Sequence, residues 1–333
     1  MKLLVTGGAG FIGSHFIRHI LRKYPGDSVV NLDKLTYAGN LENLRDVEGD
    51  PRNRFVRGDI CDGAVVREAM RGMDAVLNFA AESHVDRSIL GADEFLKTDV
   101  LGTFTLLEAA RELGISRYVQ ISTDEVYGSI ERGAAKESAP PRPSNPYSAS
   151  KAGADLLVSA YWTTHRLPVL ITRSSNNFGP NQYPEKVIPL FITNALEDRP
   201  LPLYGNGKNV RDWLYVLDNC AAIDLVLHAG VPGEIYNIGG GTEVENIVLT
   251  RQILRLLGKP ESLIRPVKDR PGHDRRYALD CHKIRALGWK PAHEFGSALA
   301  DTVRWYQEHE AWWRPIKSGE FKAYYARQYA TRA

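Results

Sequence analysis

The stretch Lys2-Leu3-Leu4-Val5-Thr6-Gly7-Gly8-Ala9-Gly10-Phe11-Ile12-Gly13 decides the fold. Its first five residues form an apolar run of strand length, and an amphipathic pattern follows over Phe11–Lys23. The glycines between them have separate tasks. Gly7 allows a tight turn, Gly10 lets backbone approach a pyrophosphate, and Gly13 permits close helix–strand packing. The helix start, with Phe11 and Ile12, then offers free N–H groups and a positive dipole end to phosphates. Asp33 follows the next apolar run, Ser28–Leu32, and lies twenty residues after Gly13. An acid at that place hydrogen-bonds adenosine ribose hydroxyls and would repel a 2′-phosphate, so NAD is expected rather than NADP.

Further along, the runs Arg54–Arg57, Ala75–Phe79, Arg117–Ser122 and Val169–Arg173 read as strands. Helical patterns separate them at Ala64–Arg71, Phe95–Leu113 and Tyr147–Thr164. This alternation is that of a parallel sheet covered by helices. After about Arg173 the texture changes. Segments 176–185 and 199–209 are rich in Pro, Gly and Asn, and long helical patterns return near Val248–Leu257 and Phe295–His309. The expected architecture is a Rossmann-type doubly wound parallel sheet over residues 1–175, which takes back strands from later in the chain. A smaller mixed α/β substrate lobe is expected over residues 176–333.

Composition sets outer bounds. The chain has 333 residues, 43% hydrophobic and 25% charged, enough for a sizeable core. Forty-two Lys+Arg against forty Asp+Glu leave a formal charge of +2, so no basic field points to nucleic acid. No apolar run approaches the roughly 20 residues that span a bilayer. Cys61, Cys220 and Cys281 lie far apart, without metal-ligand spacing. With no apolar leader before the first strand, these scattered thiols read as reduced and cytoplasmic.

Two further segments carry chemistry. Tyr147-Ser148-Ala149-Ser150-Lys151 is a Tyr-x-x-x-Lys on a helical pattern, which places both side chains on one face. The ammonium is expected to lower the phenol's pKa, so that Tyr147 takes a hydroxyl proton while a nicotinamide accepts hydride. The second segment is Ile121-Ser122-Thr123-Asp124-Glu125-Val126-Tyr127. Adjacent acids usually mark a solvated turn, but Asp124 and Glu125 close an apolar run, at the strand end where parallel sheets bind ligands. An acid and a base of separated pKa can protonate a leaving hydroxyl and take a proton from carbon.

With these motifs the chain resembles the extended short-chain dehydrogenase/reductases and, within them, the dTDP-glucose 4,6-dehydratase family. The similarity runs nearly the whole length. Its most selective parts are Ala80-Ala81-Glu82-Ser83-His84-Val85-Asp86-Arg87-Ser88, Thr123-Asp124-Glu125 and Asp269-Arg270-Pro271-Gly272-His273-Asp274. The resemblance implies oxidation of the hexose at C4 by bound NAD, loss of water across C5–C6, and return of hydride to C6. The product would be a 4-keto-6-deoxy sugar nucleotide, feeding rhamnose or another deoxysugar. In that scheme Thr123 assists Tyr147 at the C4 hydroxyl, Glu125 takes the C5 proton, Asp124 protonates the leaving hydroxyl, and Lys151 holds the nicotinamide ribose.

The same resemblance implies the remaining contacts. Lys34, Leu35 and Thr36 beside Asp33, together with Asp59 and Ile60, would hold the adenosine. Ala80, Ala81, Glu82, Ser83, His84 and Thr98 would border the nicotinamide and its ribose, with Ser83 also reaching the hexose. Asn176 and Asn177 would divide between substrate and cofactor. Lys186, Val187, Pro202, Leu203, Tyr204, Arg211, Asn246, Arg270, His273 and Asp274 would hold the nucleotide and diphosphate, where arginine forks suit a pyrophosphate. Gly241–Ile247 matches the family less well.

Two other readings compete. A sugar-nucleotide 4-epimerase would need Tyr147, Lys151 and NAD, but not Asp124 and Glu125 as acid and base. A non-catalytic NAD-binding protein would be expected to lack one of the four. A homodimer is expected from the two long helical patterns, which carry Leu101, Phe104, Leu107, Leu156, Leu157 and Tyr161 on more than one face.

Overall fold

A computed structural model describes residues 1–330. Its strands are β1 (Lys2–Thr6), β2 (Ser28–Asp33), β3 (Asn53–Arg57), β4 (Ala75–Asn78), β5 (Arg117–Thr123) and β6 (Val169–Ser174). They continue with β7 (Asn176–Phe178), β8 (Leu201–Tyr204), β9 (Val210–Tyr215), β10 (Ile235–Ile238), β11 (Glu243–Glu245) and β12 (Ile264–Val267). Seven form the main sheet in the order β10-β6-β5-β4-β1-β2-β3, and every neighbouring pair is parallel.

Such a sheet must bury both faces. Leu3 and Val5 enter one core with Phe16, Ile17 and Ile20 of helix α1 (Phe11–Lys23). Leu4 turns to a second core with Val66 of α2 (Gly63–Met70), Leu106 of α3 (Thr103–Glu112) and Val158 of α4 (Pro146–His165). A fully buried Leu or Ile is worth about 1.5–3 kcal/mol relative to exposure. Both β10 and the helix Val216–Ala229, which adds Ile223 and Val226 to the first core, return to this layer from beyond residue 175. The rest of the later chain surrounds a third core with Phe191, Trp213, Tyr306 and Trp313. A mixed three-stranded sheet, β11-β9-β7, and the parallel pair β12-β8 support it.

The helical pattern over Phe95–Leu113 is not one uniform helix. Leu96–Gly102 is π-helical and runs into α3. This wide turn carries the buried Asp99, whose carboxylate accepts Ser150 Oγ at 2.6 Å and the Glu82 N–H at 3.1 Å. Helix α4 begins sharply because Asn145 caps it, accepting the Ser148 N–H at 2.9 Å, with Pro146 in the first turn. Among the described residues no helix is long and apolar enough to cross a membrane.

One buried ion pair sets α4 against the sheet. Arg173 Nε of β6 donates to Asp155 Oδ2 of α4 at 2.8 Å, and Ser122 Oγ of β5 donates to the same oxygen at 3.0 Å. Both charged side chains are buried. Removing one member of such a pair leaves the other charge uncompensated. Asp155→Ala is therefore expected to destabilise the fold by about 3–5 kcal/mol in denaturant titration.

Candidate active site

At the carboxyl ends of the parallel strands lies a long cleft whose empty volume is ≈ 1470 Å³, counting its solvent-open mouth. Gly7, Gly10, Phe11, Ile12 and Gly13 form one end. Gly7 has φ +67, and a Cβ there would stand 2.6 Å from Ala80 N. A Cβ on Gly10 would meet only Gly7 O within 4 Å, so the backbone there is bare toward the cleft. No side chain caps the start of α1. These are the features a diphosphate requires.

Asp33 is held by two backbone donors, Ala9 N–H at 2.9 Å and Leu35 N–H at 2.8 Å. Its carboxylate keeps lone pairs toward the cleft, which Lys34, Thr36, Asp59 and Ile60 also line. Ala80, Ala81, Glu82, Ser83, Thr98 and Asn177 continue the wall. Two expectations change here. Leu35 does not line the cleft; with φ 57 it turns the chain so that its N–H orients Asp33. His84 lines a second cleft instead, buried between the Glu185 carbonyl at 3.3 Å and the Tyr324 hydroxyl at 3.2 Å. Phe79, Ser174 and Gln182 also line the first cleft and lie outside the motifs; Ala38 lines it too, within the Asp33–Asn40 run that resembles the family.

Thr123 ends β5 and caps the turn Asp124–Tyr127, its Oγ1 accepting the Glu125 N–H at 3.2 Å. The same hydroxyl donates to Asp124 Oδ1 at 3.2 Å. Asp124 is 2% exposed, and its Oδ2 has no hydrogen-bond partner. Burial, then the charges of Glu125 and Asp212, raises this carboxyl well above the usual range. It therefore holds a proton where ordinary carboxyls have lost theirs. Glu125 Oε2 accepts the Tyr277 hydroxyl at 3.3 Å. Tyr277 lies 152 residues away in sequence, which is why no local motif announces it.

Tyr147 and Lys151 face the same cleft as Asp124 and Glu125. Burial, then the charges of Glu125 and Asp99, raises the Tyr147 phenol well above its ordinary value, and a hydrogen bond with Thr123 pulls the other way. The expected lowering by Lys151 is not found. Its ammonium donates to the Ile121 carbonyl at 2.8 Å, and burial of the phenol dominates. Asp99 is pushed up to about 6 by burial, with Lys151 opposing the shift.

The second cleft meets the first at Glu125, Asn176 and Lys186. Val187, Pro202, Leu203, Tyr204, Arg211 and Asn246 line it, as do Arg270 and His273. Asn176 and Asn246 each keep a buried side-chain oxygen without a partner. None of the three expected cations is a solvated surface charge. Lys186 donates to the Ser83 carbonyl, Arg270 pairs with Asp86 at 3.4 Å, and Arg211 lies 4.3 Å above the Tyr277 ring. Ser83 and Thr123 line the first cleft rather than the second. Asp274 lines neither. It stands behind the wall, its carboxylate accepting Ser144 Oγ at 2.5 Å and Tyr277 Oη at 2.7 Å. Asp86, Glu185 and Tyr329 line the second cleft without having been expected there. Asp86 lies in the quoted Ala80–Ser88 run, which was the available signal.

This nucleotide cleft, with a Tyr-x-x-x-Lys helix along its wall, is that of a short-chain dehydrogenase/reductase. The family model for GDP-mannose 4,6 dehydratase matches residues 4–302, and the chain belongs to that family. It is 54% identical over 324 residues to a dTDP-glucose 4,6-dehydratase of Streptomyces niveus, covering 96% of each chain. It is 55% identical over 306 residues to the low-salt glycan biosynthesis protein Agl12 of Haloferax volcanii, covering 92% of this chain and 98% of the relative. Among solved structures, DesIV, a dTDP-glucose 4,6-dehydratase of Streptomyces venezuelae with NAD and TYD bound, superposes with a TM-score of 0.94 at 56% identity. That match covers 95% of this chain and 100% of DesIV.

Because the Asp124 carboxyl titrates higher in the fold than its ordinary 3.8, the folded state binds the extra proton as pH rises above that value. Stability therefore falls through that window and is unaffected below it. Asp124→Asn, neutral at every pH, is expected to melt higher than the parent at pH 7. The gain should shrink as pH falls toward 3.8, which thermal melts at several pH values check.

Proposed function

We propose that this chain is a dTDP-glucose 4,6-dehydratase, a hydro-lyase that converts dTDP-glucose to dTDP-4-dehydro-6-deoxy-D-glucose and water. The observation that carries the reading is Asp124, a buried carboxyl with an unpartnered oxygen and a pKa raised by burial, next to Glu125 and lining the same cleft as Tyr147 where the two clefts join. A 4-epimerase has no use for that acid–base pair.

The glycine loop, Asp33 and the wall from Ala80 to Ser83 fit a dinucleotide, with Lys151 placed for its nicotinamide ribose. NAD, when bound, supplies the oxidant for C4 and the reductant for C6, and so ends each cycle as it began. Tyr147 takes the proton of the C4 hydroxyl, and Thr123 steadies that contact. The ketone at C4 acidifies C5, and Glu125 removes the C5 proton. Asp124 gives its proton to the departing C6 oxygen, and Glu125 then returns a proton to C5. Arg211, Arg270 and Lys186 hold the diphosphate, as charge-assisted hydrogen bonds suit. Residues 1–175 chiefly serve the cofactor and residues 176–333 the sugar nucleotide.

The protein acts as a homodimer in the cytoplasm. Leu101, Phe104 and Leu156 are 49%, 43% and 60% exposed, an apolar surface on two neighbouring helical segments. This supports a helix bundle between subunits. Leu107 and Tyr161 lie in the subunit's own core, with Leu157 packed against it, so the face is narrower than the sequence pattern implied. All three cysteines are unpaired, in keeping with a reducing compartment.

Purified protein given dTDP-glucose is expected to form a keto sugar lighter by one water, detected by mass spectrometry. An epimer of unchanged mass would overturn the reading. Glu125→Gln should slow water loss by about 10²–10⁴-fold, whereas Tyr147→Phe should block the first oxidation, so no transient NADH absorbance forms. Light scattering should give twice the 37.2 kDa chain mass, and Leu156→Glu should reduce it to one.

A further inference from the structure

The reacting middle of the first cleft has two walls from different parts of the chain. One is α4, which carries Tyr147 and Lys151. The other is the irregular segment Ala80–Ser83 that follows β4. Such a segment has no ladder of its own, so its backbone groups must be fixed from outside. Thr6 Oγ1 accepts the Ala80 N–H at 3.4 Å, and Lys186 donates to the Ser83 carbonyl. Between these two points the Glu82 N–H is held by Asp99 Oδ1 at 3.1 Å.

Asp99 reaches the opposite wall with its other oxygen. Oδ2 accepts Ser150 Oγ at 2.6 Å, and Ser150 is the residue before Lys151. The same Ser150 hydroxyl lies 2.8 Å from the Tyr147 carbonyl. One side chain thus ties the wall to the helical turn that carries both Tyr147 and Lys151. Asp99 itself lines neither cleft, although Thr98 beside it lines the first. It therefore acts only through its two partners.

Packing alone does not ask for an acid here. Asp99 is 1% exposed, and burial pushes its carboxyl up to about 6, with the Lys151 charge opposing the shift. An apolar side chain of that size would avoid the cost of burying a charge. The backbone departs from α geometry at the same place, since the π-helical turn Leu96–Gly102 carries the residue, and such turns gather at functional sites. Gly153 lets this turn close on α4: a Cβ there would already stand 3.4 Å from Val100 Cγ2.

Resting on the dehydratase reading, we propose that Asp99 is a positioning residue for hydride transfer, whose two oxygens set the spacing between the Tyr147–Lys151 helix and the Ala80–Ser83 wall. That spacing governs how the hydroxyl facing Tyr147 and the carbon that bears it meet the nicotinamide. Water loss rests instead on Asp124 and Glu125, which the Thr123 cap holds at the end of β5. Loss of the Asp99 ties slows the hydride steps and spares sugar-nucleotide binding, because Asp99 takes no part in the lining of the second cleft.

Single-turnover mixing of the holoenzyme with dTDP-glucose, carrying hydrogen or deuterium at C4, reads the rate of keto-sugar formation and its isotope effect. Titration with dTDP reads the second cleft. Asp99→Leu keeps the size and removes both acceptors. Its rate is expected to fall about 10²-fold, the effect of a misplacement of about 1 Å, with a larger C4 isotope effect than the parent and unchanged dTDP affinity. Asp99→Asn should restore most of the rate. Its carbonyl accepts the Glu82 N–H, and its amide donates to Ser150 Oγ, whose own hydrogen then goes to the Tyr147 carbonyl. An Asp99→Leu protein with the parent's rate overturns the proposal, as does a slow one whose isotope effect is not raised or whose dTDP affinity falls in step. An Asp99→Asn protein as slow as Asp99→Leu also overturns it, because charge rather than spacing would then be at work. Should the leucine variant not fold, Ser150→Ala cuts one of the two ties and is read by the same three measurements, an unchanged rate overturning the proposal. A parent protein that forms no keto sugar overturns the dehydratase reading itself, a result distinct from an active parent whose Asp99 variants keep its rate.

Discussion

A carboxyl buried with one oxygen unpartnered is the constraint around which this molecule is arranged. In water Asp124 would be ionised and inert as an acid. At the closed end of β5 the charged form loses its solvation, and the neighbouring charge of Glu125 adds to that penalty. The site can exist only because the surrounding fold is stable without its help. Central strands β5 and β6 are covered on both faces, and the Asp155–Arg173 pair with Ser122 binds α4 to them. Chemistry is thus placed where the scaffold deforms least.

The parallel sheet explains why so many functional groups meet. All seven strands end on the same edge, so Gly7 after β1, Asp33 at the end of β2 and Thr123 at the end of β5 open onto one cleft. The later chain then closes that edge. β8, the loop around Arg270 and the residues near Lys186 build the second cleft, and the two share Glu125, Asn176 and Lys186. A ligand spanning both has its reactive end at the acid–base pair. Its charged middle meets cations that are already held, Lys186 by the Ser83 carbonyl, Arg270 by Asp86 and the buried Arg211 by the Asp274 carbonyl, so little side-chain freedom is lost on binding.

The pKa pattern also separates the roles. Asp124 is raised by burial, the direction that suits a general acid. Tyr147 is raised as well, so its phenolate needs positive charge nearby, and the Thr123 hydroxyl is the protein's own hydrogen bond in that direction. The sequence reading took Lys151 as the group that lowers the phenol directly. The structure commits its ammonium to the Ile121 carbonyl. Spacing along a helix shows that two side chains share a face, but not which partner each one takes.

Local sequence determined the elements and the motifs within them. The apolar runs, the glycine loop, Asp33, the Asp124–Glu125 pair and the Tyr-x-x-x-Lys helix were legible because each depends on residues within one turn or one strand. Even so, the pattern over Phe95–Leu113 concealed a π-helical stretch, since hydrophobic period does not resolve one inserted residue. Contacts between distant segments were decided only by tertiary structure. Tyr277 reaches Glu125 across 152 residues, Asp274 retreats behind the wall to brace Ser144 and Tyr277, and His84 turns from one cleft to the other. Leu107 and Tyr161 pack inward while Leu101, Phe104 and Leu156 remain outside. The physical reason is the same throughout. Backbone geometry and side-chain period are properties of neighbours in the chain, whereas burial, charge pairing and the pKa of Asp124 are set by whatever the fold brings within a few ångströms.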